Sequence, residues 1–241
     1  MDYFLLTIVS FFSNLFSAFS GGGAGIIQLP AILLIFNISF PVALATHKIS
    51  TVLLGLGASL KFFEKNKPNT RLLTEGIIIG LPAVIIGAYS ISFINEYLAR
   101  QLLGILIFLV FLLSFVKTKK NRGVLSPFYV YIIIFVIGFL NGSLSAGTGL
   151  LYTLMLTKVY GMSFKESIGY TLLVVGLFFN LIGAIVLYLI STIDIAILPA
   201  LLIGSFTGGY IGAMIAISKS NRVIKISYQI VTLIVAYKLL F

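Results

Sequence analysis

Four stretches of this chain, Leu102 to Val116, Phe128 to Leu140, Ile168 to Ile190 and Ile193 to Ile217, are nearly free of charge. The longer ones reach the roughly 20 residues that carry a helix across about 30 Å of hydrocarbon. With 60% hydrophobic and 9% charged residues and a mean hydropathy of +1.17, the 241 residues cannot hide their apolar surface in one water-soluble core. Strand alternation is absent, which argues against a β-barrel. The expected fold is an all-α polytopic membrane protein, multi-pass, in a prokaryotic plasma membrane.

Composition excludes several function classes. The chain has no cysteine, one histidine and six acids, without any metal-ligand spacing. Thiol chemistry, zinc sites and carboxylate catalysis therefore lack their groups, and no enzyme activity, metal or cofactor is expected. No Walker sequence is present, so ATP drive within this chain is not expected. The formal charge of +10 resides in short loops between apolar stretches. There it sets topology and meets anionic lipid headgroups rather than nucleic acid. Ser17-Ala18-Phe19 resembles a signal-cleavage site, but the start lacks a basic region, and the first segment is expected to be retained because the second half holds its counterpart.

Apolar blocks fall at about Tyr3 to Phe19, Ile26 to Phe36, Val42 to Phe63, Leu72 to Ile94, Leu98 to Val116, Phe128 to Leu140, Leu150 to Tyr160, Ser167 to Ile190, Ile193 to Ile217 and Val223 to Leu240. Five lie on each side of the polar run Lys117 to Gly123, which gives a first repeat at 1–117, a cytoplasmic linker at 118–127 and a second repeat at 128–241. Sliding one half on the other by 124 positions superposes Gly23 on Gly147, Gly25 on Gly149, Ser39-Phe40 on Ser163-Phe164 and Gly80 on Gly204. An odd number of segments per half inverts one repeat relative to the other. If the glycine-rich regions are hairpins that enter and leave on one side, all basic residues except Lys48, Arg100 and Lys238 face the cytoplasm, 13 of 16. Treating each as a full crossing sends Lys158, Lys165, Lys219, Arg222 and Lys225 outside and brings Lys238 in, nine against seven. The positive-inside rule favours inverted repeats, with Asp2, Glu96 and Asp194 outside.

The breaks themselves are Ser20-Gly21-Gly22-Gly23-Ala24-Gly25 and Ser145-Ala146-Gly147-Thr148-Gly149. Each precedes an apolar block of about 11 residues, some 16 Å as a helix, too short to cross. Such half-helices point unpaired amides and the positive dipole end into the protein, a setting for an anion. Broken helices in corresponding halves also mark substrate sites in secondary transporters. The residues Ser20, Gly21, Gly22, Gly23, Gly25, Asn141, Ser145, Gly147, Thr148 and Gly149 are the resulting candidates, with Ser143 as a further hydroxyl. Close helix packing through small residues is the alternative.

These glycines, with Pro30, the Ala43-Leu44-Ala45-Thr46 stretch after Pro41, and the degenerate copies Gly138 to Gly149 and Ser167-Ile168-Gly169-Tyr170-Thr171, resemble the TauE/SafE sulfite-exporter (TSUP) family over the whole chain. The second copy departs by lacking the full glycine run and the proline. The resemblance implies a transporter of sulfite, sulfonates or related small carboxylates and, as direction, export; it adds weight to Thr46 and Thr171.

The remaining polar residues admit two readings each. His47-Lys48 either anchors at an interface, Lys48 snorkelling outward, or draws an anion to the outer mouth with His47 carrying a coupling proton. Asn180, midway along an apolar segment, either bonds another helix or faces the ligand. Glu75 beside Arg71 reads as a helix-start carboxylate, and Gln28, Thr153 and Thr157 as partners for opened backbone. Tyrosines and phenylalanines suit interfaces and lipid. The expected function is a secondary transporter of a small anion, with a proton or cation as candidate coupling ion; a channel-like pore and a non-transporting scaffold are the alternatives. Substrate, direction and oligomeric state are not legible.

Overall fold

The computed structural model describes residues 1–64, 67–114, 126–220, 222–224 and 226. Ten α-helices, and no strand, occur among them. They are α1 (Asp2–Ser20), α2 (Ala24–Phe36), α3 (Phe40–Phe62), α4 (Thr70–Ser90), α5 (Glu96–Ser114), α6 (Pro127–Ser143), α7 (Thr148–Val159), α8 (Phe164–Thr171), α9 (Asn180–Ile190) and α10 (Leu198–Ser218). A π-helical stretch, Leu172–Phe179, joins α8 to α9 into one 27-residue rod. Six of the helical spans are long and apolar enough to cross a membrane. The basic linker 117–122 and nearly all of the expected tenth segment lie outside the described residues.

Local chemistry sets the helix ends. Prolines at the first helical positions begin α3, α6 and α10, where the missing N–H has no intrahelical partner to lose. Asn69 caps α4 by accepting from the Arg71 amide, and Ser163 caps α8 by accepting from Glu166. Glu96 accepts from the Phe40 amide at 2.8 Å, so a carboxylate from α5 closes the start of α3. The expected ninth segment starts late: Asp194 takes the Ala196 amide at 3.0 Å in a turn, and α10 begins only at Leu198.

The end of α2 returns to the start of α1, where the rings of Tyr3 and Phe36 lie 5.9 Å apart. Near the opposite end, Pro127 and Tyr131 of α6 share a cavity with Val159 of α7 and the adjoining Tyr160. Each pair is thus a hairpin. The first opens toward Phe40 and Glu96, the second toward Asn69 and Arg71, at the other end of α4.

Packing follows the same pairing. Helix α1 lies along α10 and α6 along α4, the two most intimate contacts beside that of α10 with α3. Glycines bring these backbones together: a Cβ on Gly212 would lie 2.2 Å from the Leu15 carbonyl, and one on Gly142 2.3 Å from that of Val84. Helix α3 crosses the π-helical stretch the same way, a Cβ on Gly55 falling 2.4 Å from Gly176. Helix α3 is thereby enclosed by α1, α2, α10 and the long rod.

Candidate functional site

The two glycine turns end the hairpins and meet inside the protein. Gly21, Gly22 and Gly23 take positive φ angles of 88°, 141° and 130°; in the second turn Ser145 (62°) and Gly147 (71°) do so. A Cβ on Gly22 would strike the Leu150 amide at 2.6 Å, and one on Gly25 the Ser145 carbonyl at 2.9 Å, so the turns touch back to back. Among the described residues, no acceptor takes the amides of Ala24, Gly25, Thr148 or Gly149. Helix N-termini thus converge from both halves.

Beside this contact lies a cavity of about 30 Å³. Of the expected site residues it gathers Gly22, Gly23, Gly25, His47, Asn141, Ser145, Thr148, Gly149, Thr171 and Asn180. Four others are elsewhere. The Ser20 hydroxyl donates to the Phe16 and Gly22 carbonyls, stitching its own turn. Gly21 packs on Thr153 and Ile168, and Gly147 on Val110, each where a side chain would not fit. Thr46 donates to the Val42 carbonyl and accepts from the Asp194 amide, which commits it to the loop before α10.

Ser17, Ala24, Thr51, Val175 and Gly176 also line the cavity and were not expected. Ten of the 17 lining residues fall into pairs 124 positions apart: Ser17 with Asn141, Ala24 with Thr148, Gly25 with Gly149, His47 with Thr171, Thr51 with Val175. The internal repeat was therefore the available signal for Ser17 and Thr51.

Lys48 departs most from expectation. It does not snorkel; it is fully buried, and its Nζ donates to the Asn141 carbonyl (2.7 Å), Asn141 Oδ1 (3.1 Å) and Asn180 Oδ1 (3.2 Å). Three donors meet three neutral oxygens, and none of the ion pairs among the described residues includes it. Asn141 passes its amide to Thr148 Oγ1 at 3.1 Å, and Asn180 donates to the Gly176 carbonyl at 3.2 Å. The π-helical stretch thereby presents Asn180 to both Lys48 and the cavity.

On the other face of α3, His47 Nδ1 lies 2.8 Å from Gln28 Oε1. Gln28 Nε2 donates to Ser10 Oγ (2.8 Å) and Ser50 Oγ (3.1 Å); Ser50 also bonds Ser205, and Ser10 donates to the Leu201 carbonyl at 2.8 Å. Gln28 thus joins a side-chain network, whereas Thr153 donates to the Gly21 carbonyl at 3.0 Å and Thr157 to that of Thr153. Glu75 bonds Arg71 at 2.9 Å and Tyr160 at 3.1 Å near the hairpin opening of α6 and α7.

Two helical hairpins whose broken tips meet beside a polar cavity, among helices long and apolar enough to cross a membrane, make this a multi-pass integral membrane protein. The chain belongs to the sulfite exporter TauE/SafE family, whose model matches residues 6–239. It is similar to "Probable membrane transporter protein YfcA" of Escherichia coli strain K12, 23% identical over 98% of this chain and 90% of the relative. It also resembles "Probable membrane transporter protein YdhB" of Bacillus subtilis strain 168, 25% identical over 98% of this chain and all of that protein, and a "Probable membrane transporter protein" of Haemophilus influenzae, 22% identical over 98% and 94%. No solved structure matches.

Proposed function

We propose that this protein is a secondary transporter of a small anion, sulfite, an organosulfonate or a related sulfur-containing or carboxylate compound, moved outward by alternating access. The observation that carries the reading is Lys48: a buried ammonium bonded only to neutral oxygens, held by Asn141 and Asn180, which also line the cavity. Its charge and the two helix N-termini act in one direction, toward an anion, where no carboxylate competes. Gly22, Gly23, Gly25, Ser145, Thr148 and Gly149 replace the guest's hydration, with Asn141, Thr171 and Asn180 as side-chain partners.

The two halves, 1–117 and 128–241, act as inverted repeats on either side of a cytoplasmic linker, and the site lies between their hairpin tips. Hairpins opening to opposite ends and cavity residues paired 124 apart support this. A cavity of about 30 Å³ holds one water-sized group. A sulfonate enters only when the tips separate, which favours a carrier with moving gates over a standing pore.

Proteoliposomes given sulfite, thiosulfate, methanesulfonate and small carboxylates test the class. Saturable uptake of at least one anion, absent from protein-free vesicles, is expected. Folded protein that carries none of them, or that shows single-channel conductance, overturns the reading.

A further inference from the structure

We propose that a proton travels with the anion, held on His47, and that Gln28 is the positioning residue that fixes which ring nitrogen receives it. This rests on the anion-carrier reading above. None of the six acids, Asp2, Glu64, Glu75, Glu96, Glu166 and Asp194, lines the cavity. His47 alone, among the groups lining the cavity, is of a type that exchanges protons near neutral pH.

Gln28 is oriented by its surroundings. Ser10 spends its own proton on the Leu201 carbonyl and so accepts, which turns Gln28 Nε2 toward Ser10 and Ser50 and Oε1 toward His47. His47 Nδ1 is then a donor in both charge states. Nε2 is the nitrogen left to serve the cavity, bare when the ring is neutral and a second donor when it is charged.

The fold does not demand this network. At the positions 124 residues away, Ser10, Gln28, Ser50 and Ser205 are matched by Ile134, Tyr152, Val174 and Leu81, which pack in an apolar cluster. A buried amide and three hydroxyls kept where the same architecture runs dry serve the histidine they hold.

The surroundings make the proton conditional on the anion. His47 bonds Gln28 of α2, which in turn donates to Ser10 of α1 and Ser205 of α10, and His47 shares the cavity with Ser17 of α1 and with Thr171 and Asn180 of the long rod. None is charged. Its one charged neighbour is Lys48, the next residue on α3, which repels an imidazolium. An anion in the cavity reverses the balance, accepting from Nε2–H while offsetting Lys48. Each guest then raises the affinity of the other by the same factor, and the loaded form carries both.

Because the chain has a single histidine, ¹⁵N-histidine labelling of Strep-tagged protein reads His47 alone. The expected anion-free spectrum is the neutral Nδ1–H tautomer; adding an anion that the vesicle assay shows to be carried converts it to imidazolium at the same pH. In proteoliposomes, thiosulfate and methanesulfonate, which carry no proton themselves near neutrality, should acidify the compartment they enter. Their apparent affinity should fall about tenfold per pH unit where His47 is neutral before binding. H47Q should lose the pH dependence, and Q28L should shift the spectrum toward the Nε2–H tautomer, with folding of both followed by size exclusion. Anion flux without proton movement, or a neutral His47 at saturating anion, overturns the proposal and leaves the carrier standing. Absence of any anion flux brings both down.

Discussion

At Lys48 a unit charge is held by two asparagines and a backbone carbonyl instead of an acid, an arrangement useful for attracting an anion and poor as a source of stability. Lys48→Met removes the charge and leaves two asparagine oxygens short of a donor. The two effects oppose each other in stability, so the melting temperature in detergent should change little, while anion uptake in vesicles should fall at least tenfold. Gly183→Ala is a gentler probe: the new methyl would meet Lys48 Cδ, Cε and Nζ at 3.0–3.1 Å. The flexible side chain yields, so protein yield should hold while the apparent affinity for the carried anion drops severalfold. His47 and Asn180 were conspicuous in the sequence because such side chains are rare in apolar segments. The destination of Lys48 was not, because snorkelling assumes a helix face within reach of water, and α3 is surrounded. The hydroxyls of Ser20 and Thr46 turn to the Phe16 and Val42 carbonyls one helical turn back, away from the cavity, a choice between local and ligand partners that residue type does not reveal.

The hairpins owe their place to glycine contacts between whole helices. In Gly142→Ala and Gly212→Ala the added methyl meets a backbone carbonyl at 2.3 Å and 2.2 Å, and carbonyls of packed helices cannot swing away. Each should destabilise by about 1–3 kcal/mol, read from unfolding in mixed micelles, with α6 lifted from α4 or α10 from α1. Nine of the ten apolar blocks correspond to described helices, since length and charge-free composition are written locally. Both half-helices were legible too, starting within two residues of their glycines at Ala24 and Thr148. The π-helical stretch was not. Its sequence, Leu172 to Phe179, contains no proline and reads as uninterrupted helix; the widened turn accompanies the crossing of Gly176 with Gly55, a meeting of residues 121 positions apart.

Taken as a whole, the molecule carries two copies of one device with different contents. Ser39 and Ser163 start α3 and α8 with nearly the same backbone, φ −64° and −63° with ψ 151° in both, and both are exposed. They lie 124 positions apart, yet Ser39 adjoins Phe40, capped by Glu96, whereas Ser163 shares a cavity with Lys61 and Lys165. If the halves are inverted, these twins face opposite compartments, Ser39 outside and Ser163 with the basic loops inside. The chain has no cysteine, so single Ser39→Cys and Ser163→Cys variants carry one thiol each in a background without any. A membrane-impermeant maleimide should label Ser39→Cys in intact cells and Ser163→Cys only in inverted vesicles. Labelling of both from one side would mean that the halves run parallel, and the inverted-repeat reading would fall. Labelling from opposite sides would make the difference in contents informative, because only the first half brings a histidine and a lysine to the shared cavity, so exchange between the two faces would move charge past an asymmetric pair of gates.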